Sequence, residues 1–248
     1  MADFITQYIR TARQKTLDGV PDAGAFTNIY FSGTTYALWR AGKKPTVDYS
    51  RGLVLDAGSG RGGWKSVINR GAVRESLDIA PKADERVTWV GDLTDMPQVP
   101  SSRYDAVINH QVIEHVAYPA AAIAEMFRVL KPGGSLVISV PHLSRQHELP
   151  HDYYRFTPNG LDRLLRDAGF KVVSISHFGG IFCFLHHQFA TALLGIAAAF
   201  RPLHAVIAVL NSPFSVLAAA LDRGLDRSGL FAVGVIAVAT KPDRHEDG

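Results

Sequence analysis

Four glycines, Gly58, Gly60, Gly62 and Gly63, close the segment VLDAGSGRGG. They fit G-x-G-x-x-G at 58, 60 and 63, and G-x-G-x-G at 58, 60 and 62. Glycine suits such a loop because the chain must turn sharply and let a nucleotide cofactor approach the backbone. A helix opening after the loop offers free N–H groups to an anionic group. Asp78 follows 18 positions after Gly60, at the end of the next strand-like run. A carboxylate there can accept both ribose hydroxyl protons. Asp56 stands two residues before Gly58, where it would face a cationic amine of the cofactor. Asp92, in VGDLTDMP, follows a third strand-like run and could accept from an adenine amino group.

A ribose-bearing cofactor leaves hydride chemistry open as a rival reading. None of the eight tyrosines has lysine four positions later, so the Y-x-x-x-K pair of one large dehydrogenase class is missing. Acceptor chemistry has an obvious candidate in PHLSRQHELPHDYYRFTP, residues 141–158. This stretch holds three of the ten histidines, His142, His147 and His151, with Asp152, Tyr153, Tyr154 and Arg155. A neutral imidazole is a natural base near neutral pH. We expect His151 and Tyr154 closest to an acceptor, with His142 next. Capping of helices and loop backbone groups is the alternative use for the same residues. The gaps between His142, His147 and His151 match no standard metal site, so no metal is expected. Cys183, the single cysteine, reads as an inert buried thiol. Trp64, just after the glycines, should pack beside the cofactor.

These residues need a scaffold, and the chain alternates strand-like with helix-like segments. That pattern argues for a mainly parallel sheet with helices on both faces. The expected strands are 53–57, 74–79, 86–90, 104–109, 135–140, 171–177 and 231–240. Helices are expected over 62–69, from Pro119 to Leu130, and from Thr157 to the Gly169 cap. Lys131–Gly134 reads as a turn. All 248 residues are read as a single domain. It comprises a helical cap at 1–45, a cofactor-binding core at 50–178, an apolar insertion at 179–225 and a last strand within 229–241.

Together the segments LVLDAGSGRGG (53–63), LDIAP (77–81), VGDLTDMP (90–97), YDAVINHQVIEHVAYP (104–119), RVLKPGGSLVISVP (128–141) and GLDRLLRDAGF (160–170) resemble the class I S-adenosylmethionine-dependent methyltransferases. The resemblance covers about half the chain and says little about the acceptor. It implies an α/β, doubly wound, seven-stranded Rossmann-like sheet, with the last strand antiparallel between the fifth and sixth. It implies S-adenosyl-L-methionine as cofactor, held by the loop of Asp56, Ala57, Gly58, Ser59 and Gly60. The methionine part would lie on Gly58 and Gly60, the ribose on Asp78 and the adenine against Ile79. Asp92 and Leu93 would frame the adenine edge. His110 and Gln111 would line the floor near the sulfonium, with His115, of the Glu114-His115 signature, in a cofactor-floor or structural role.

Composition narrows the partners. Charged residues make up 20% and hydrophobic ones 47%, which excludes a disordered chain, a collagen and a coiled coil. Twenty-six basic against 23 acidic residues is a mild excess without a stripe, so no nucleic-acid partner is expected. A cytoplasmic protein acting on a small-molecule acceptor is the primary reading. The alternatives are a lipid or lipid-linked saccharide acceptor at a membrane surface, and a non-catalytic cofactor-binding scaffold.

One segment is unusual. From Val172 to Leu221 the only formally charged side chain is Arg201. The longest apolar run, Phe189 to Phe200, has 12 residues. As a helix it would reach about 18 Å, short of the roughly 30 Å hydrocarbon core. Two short helices flanking Pro202 and Pro213 are expected, lying over the carboxyl end of the sheet. Their apolar surface would meet the acceptor, a twin subunit or lipid, with Arg201 turned to solvent or to an anionic headgroup.

Overall fold

A computed structural model describes residues 32–60, 62–80, 86–197, 201–226 and 228–243. Most of the expected N-terminal cap, residues 1–31, lies outside the described residues, as do Pro81 and the side chain of Arg201. The chain divides into two compact units, residues 40–178 with 234–248, and residues 1–39 with 179–233.

The first unit carries the sheet. A helix, α1 (Gly33–Tyr49), leads into it, the last ten residues of the helix belonging to this unit. The strands are β1 (Leu53–Ala57), β2 (Val73–Asp78), β3 (Trp89–Val90), β4 (Tyr104–His110), β5 (Leu130–Pro141), β6 (Lys171–Phe178) and β7 (Gly234–Thr240). Their order is β3-β2-β1-β4-β5-β7-β6. The strands β1 to β5 pair in parallel, whereas β7 runs antiparallel to both β5 and β6, as the resemblance implied. β7 reads GVIAVAT and is buried through Ala239, which fits a strand packed on both faces. Two helices accompany the sheet, α2 (Pro119–Val129) and α3 (Pro158–Asp167). Each has proline in its first turn, where a missing N–H costs nothing. The Thr157 side chain caps α3 by accepting from the Gly160 N–H at 3.0 Å.

Several expectations about the sheet unit are corrected. Residues 62–69 form successive turns rather than a helix: two adjacent glycines are poor helix formers, and the Trp64 indole is committed to a stack described below. β3 shrinks to two residues. Lys131–Gly134 joins β5 as an irregularity, since Tyr104 pairs with Leu130 but Ala106 already pairs with Ser135.

A partly buried polar knot fastens β2, β3 and β4. The Tyr104 hydroxyl donates to Glu75 Oε2 at 2.6 Å and accepts from Trp89 Nε1 at 2.9 Å. The Arg103 guanidinium pairs with the same carboxylate. That pairing holds Glu75 below the ordinary carboxyl range, while burial and then the Glu75 bond push Tyr104 up to about 12. Glu75→Ala is expected to cost about 1–3 kcal/mol by leaving these donors unpartnered. The group's folded pKa is depressed, so its contribution is present above the unfolded value near 4 and fades on acidification through the folded one. Urea titrations should therefore show a wild-type advantage at pH 7 that narrows below about pH 4.

The second unit holds α4 (Ile181–Ala197) and α5 (Arg201–Leu225). The N-terminus of α4 is capped by carboxylates from α5: Asp222 accepts from the N–H groups of Gly180, Phe182 and Cys183 at 2.8–3.0 Å, and Asp226 from Ile181 at 2.8 Å. Cys183 is a buried free thiol, raised by that burial and by Asp222. Pro213 does not end a helix as expected; α5 runs through it. Proline cannot donate to the carbonyl four residues back, that of Val209. The Ser212 hydroxyl donates to it instead, at 2.8 Å. No helix among the described residues is long and apolar enough to cross a membrane.

Candidate active site

The strand order reverses at β1, with β2 on one side and β4 on the other. In open α/β sheets the crevice beyond the carboxyl ends at such a point receives the ligand. The glycine loop leaves β1 there and is pinned to β2: the N–H groups of Gly58 and Ser59 both donate to the Leu77 carbonyl, at 2.8 and 3.0 Å. Gly58 has φ +78°, and a Cβ on it would stand 2.5 Å from Val112 Cγ1. Side-chain-free backbone is thus required where the loop passes the end of β4. Gly60, with φ +55°, is different: a Cβ there, or on Gly63, would meet nothing within 4 Å. This side of the loop faces open space.

Asp78, at the end of β2, is held by two backbone groups. Oδ2 accepts from the Gly60 N–H at 2.7 Å and Oδ1 from Ala80 at 2.9 Å. Each oxygen keeps a further lone pair for a diol. Ile79, the next residue, is 68% exposed, an apolar surface unusual at a strand end. The Ser59 hydroxyl is buried with no partner among the described residues. The Ala57 carbonyl accepts from Asn109 Nδ2 at 2.9 Å, tying β1 to β4. Asp56 is buried and its carboxylate pairs with Arg74 of β2, Nε to Oδ2 being 2.9 Å. Any ligand amine at Asp56 would share it with that guanidinium. Asp92 accepts from both the N–H and the hydroxyl of Thr94 at 2.8 Å, a local turn, and the Leu93 side chain is in the core.

His110 closes β4. Its Nδ1 meets the Ser139 hydroxyl and its Nε2 the Thr46 hydroxyl, both at 2.9 Å. Trp64 stacks on it with centroids 3.9 Å apart, and packs over Gly42 of α1. Enclosure by protein pushes this imidazole down to about 3, so it is neutral at physiological pH. A neutral ring is suited to neighbour a cationic sulfonium, which a charged one would repel. Gln111 follows with φ +56°, an uncommon conformation for a non-glycine residue, its N–H donating to the Ser139 carbonyl at 2.9 Å.

The 141–158 loop is organised by Arg155. Its guanidinium pairs with both oxygens of Asp152, at 2.7 and 2.8 Å, and donates to the carbonyls of Ser144, Arg145 and Tyr154. That pairing holds Asp152 at about 2. The N–H of Tyr153 donates to the Glu114 carbonyl at 2.9 Å, clasping the loop to the 3₁₀ turn Ile113–His115. His151 Nδ1 is 3.0 Å from the Tyr153 hydroxyl, and its carbonyl is 2.7 Å from His115 Nδ1. Tyr154 donates its hydroxyl to the Ala117 carbonyl at 3.0 Å. The structure thus brings His151, Tyr154 and His115 into one neighbourhood. His142, at the start of the loop, takes no part in that network. Sequence reasoning had no ground to single out Glu114 and grouped His147 with its loop neighbours, whereas the His147 ring packs edge-on against His115, 32 positions earlier in the chain.

The residues present fit S-adenosylmethionine. The cradle at Gly60 and Gly63 is open, the Ser59 hydroxyl lacks a partner among the described residues, and Asp78 is aimed by backbone N–H groups beside an exposed apolar Ile79. Comparison with known proteins agrees. Residues 36–175 match the family described as "Methyltransferase domain", and the chain belongs to that family. Relatives of the chain are described as probable S-adenosylmethionine-dependent methyltransferases. It is 32% identical over 146 residues to a probable S-adenosylmethionine-dependent methyltransferase of Mycolicibacterium smegmatis, covering 52% of this chain and 56% of that one. With one of Mycobacterium tuberculosis it shares 28% over 218 residues, covering 76% and 77%. The match therefore spans little more than half of the first relative. Among solved structures, the 1,6-didemethyltoxoflavin-N1-methyltransferase of Burkholderia thailandensis, with bound 1,6-didemethyltoxoflavin and S-adenosylhomocysteine, has the same fold. Its TM-score is 0.54 at 18% identity, covering 84% of this chain and 79% of that one.

Proposed function

We propose that this protein transfers a methyl group from S-adenosylmethionine to a small-molecule acceptor by direct displacement. The observation that carries the reading is the open glycine cradle directly beside the backbone-aimed Asp78 carboxylate. When bound, the cofactor supplies a methyl already activated on a sulfonium. Asp78 accepts the ribose hydroxyls, Ile79 covers the adenine, and Asp92 with the Leu93 backbone borders the adenine edge. Ala57, Gly58, Ser59 and Gly60 receive the methionine part, with Asp56 and its Arg74 partner behind them. His110 and Gln111 form the floor, and His115 supports it from the neighbouring turn.

The work left to the chain is alignment and exclusion of water. A base is required only when the acceptor must lose a proton. His151 is the first candidate, since the Tyr153 hydroxyl orients its Nδ1 and leaves Nε2 for an acceptor; Tyr154 and His142 line the approach. The supporting experiment is turnover. The purified chain, given S-adenosylmethionine and a panel of small phenols, quinols and amines, should form S-adenosylhomocysteine with at least one of them. No product across such a panel, with cofactor binding intact, would favour the scaffold reading.

A second reading has its own observation. Leu185 and Phe189 on α4, and Val206, Val209, Leu210 and Phe214 on α5, are each more than half exposed. Apolar surface of this extent on a single chain favours association. A lipid or lipid-linked acceptor at a membrane surface, or a second copy of the chain, would cover it. Flotation with anionic liposomes and sedimentation without them separate these: a chain that ignores liposomes and sediments as a monomer has neither.

A further inference from the structure

Glu114 is fully buried, and neither carboxylate oxygen has a hydrogen-bond partner among the described residues. Burying an unpaired carboxylate is expensive, so something must face it. What faces it are two imidazole nitrogens, Nε2 of His115 and Nε2 of His147, each 3.8 Å from Oε1. One ligand atom from each of the three residues lies within 4.8 Å of the others.

The far side of the His115 ring shows where its proton sits. His115 Nδ1 is 2.7 Å from the His151 carbonyl oxygen, which can only accept, so Nδ1 carries a hydrogen and Nε2 is the nitrogen that can bind a metal. His147 Nδ1 lies between the Arg145 carbonyl, at 3.2 Å, and the donating Arg155 guanidinium, at 3.3 Å, so these contacts leave either of its ring nitrogens free to bind. A backbone carbonyl behind the ring, as at His115, is a usual outer support of a metal-bound histidine. An unpartnered, buried carboxylate and two imidazole nitrogens thus converge on one small volume. On the solvent side, Glu148 Oε2 stands 3.9 Å from His115 Nε2.

The geometry points to a binding site for one divalent transition-metal cation of the zinc type, liganded by Glu114, His115 and His147. Two imidazoles and one carboxylate are a zinc donor set, with Glu148 or water completing four-coordination. Zinc bonds of about 2.0–2.1 Å place tetrahedral ligand atoms roughly 3.3–3.4 Å apart. The gaps here are 3.8 Å from Glu114 Oε1 to each ring nitrogen and no more than 4.8 Å overall, so the side chains must draw together as the ion binds. This cluster differs from the His142, His147 and His151 trio that the sequence suggested and that gave no metal spacing. Its ligands come from the turn after β4 and the loop after β5, which the Tyr153–Glu114 backbone bond already holds together. The inference does not depend on the acceptor.

The test uses the full chain, stripped with a chelator and dialysed, and titrated calorimetrically with zinc and, separately, with magnesium. One equivalent of zinc should bind with micromolar or tighter affinity, magnesium should not compete at millimolar concentration, and zinc should raise the melting temperature. His147→Ala and Glu114→Gln should each weaken zinc binding at least tenfold, while His177→Ala, on exposed β6 surface, should leave it unchanged. Should Glu114→Gln fail to fold, the half-buried His147→Ala and a His115→Ala variant still decide the matter. Zinc binding below one equivalent, or binding that survives His147→Ala, would overturn the site and leave protonated imidazoles as the partners of Glu114.

Discussion

Asp78→Ala is expected to weaken binding of S-adenosylhomocysteine about 10- to 150-fold. The estimate rests on charge-assisted hydrogen bonds worth about 1.5–3 kcal/mol. Asp78 does two things at once. It presents lone pairs at the end of β2, and it fixes the glycine loop by accepting from the Gly60 N–H at 2.7 Å. Alanine removes the ribose partner and leaves that N–H without its acceptor. Asp78→Asn should fall between, because the amide oxygen can replace one acceptor but the amide nitrogen cannot accept. Calorimetric titration of both variants checks this, with NAD as the control ligand expected not to bind. Unchanged affinity in Asp78→Ala would remove Asp78 from the cofactor site.

The second large effect concerns the glycine loop, and it should split between two positions. Gly58→Ala combines a left-handed φ of +78° with a Cβ 2.5 Å from Val112 Cγ1. Left-handed backbone costs a non-glycine residue about 1–2 kcal/mol, and overpacking typically another 1–3. Loss of about 2–5 kcal/mol of stability is expected, read by urea denaturation. Val112→Ala in the same chain should return part of it, because it removes the atoms the new methyl meets. Gly60→Ala has open space around its Cβ. It should cost only the backbone term, yet still weaken S-adenosylhomocysteine binding, because the methyl would stand in the cradle. Equal stability losses at the two positions would show that Val112 does not constrain the loop.

The parts of the fold readable in the sequence were those whose signal is local. β1, β4 and β7 are short apolar runs between turn residues, and each lies within a residue or two of the expected place at its end; the start of β7 is later, at Gly234. The placing of the glycine loop beside Asp78 was legible for the same reason: a loop, its strand and the acid are set by near neighbours. What failed depended on partners distant in the chain. Residues 62–69 look helical until Trp64 is seen stacked on His110. Pro213 reads as a helix end until Ser212 is seen supplying the missing donor to Val209. Asp56 reads as a free carboxylate, and only strand pairing places Arg74 against it. Glu114 and His147 carry no sequence signal of belonging together, because the loop of His147 is clasped to the Glu114 turn by backbone bonds from Tyr153 and Tyr154.

The central claim is that the crevice between the glycine loop and Asp78 holds S-adenosylmethionine. A crystal structure of the chain grown with S-adenosylhomocysteine tests it most directly. The account predicts ribose hydroxyls within hydrogen-bond distance of both Asp78 oxygens, adenine against Ile79, and the homocysteine part along Gly58 to Gly60. Density for the cofactor away from Asp78, or none at saturating concentration, would contradict it.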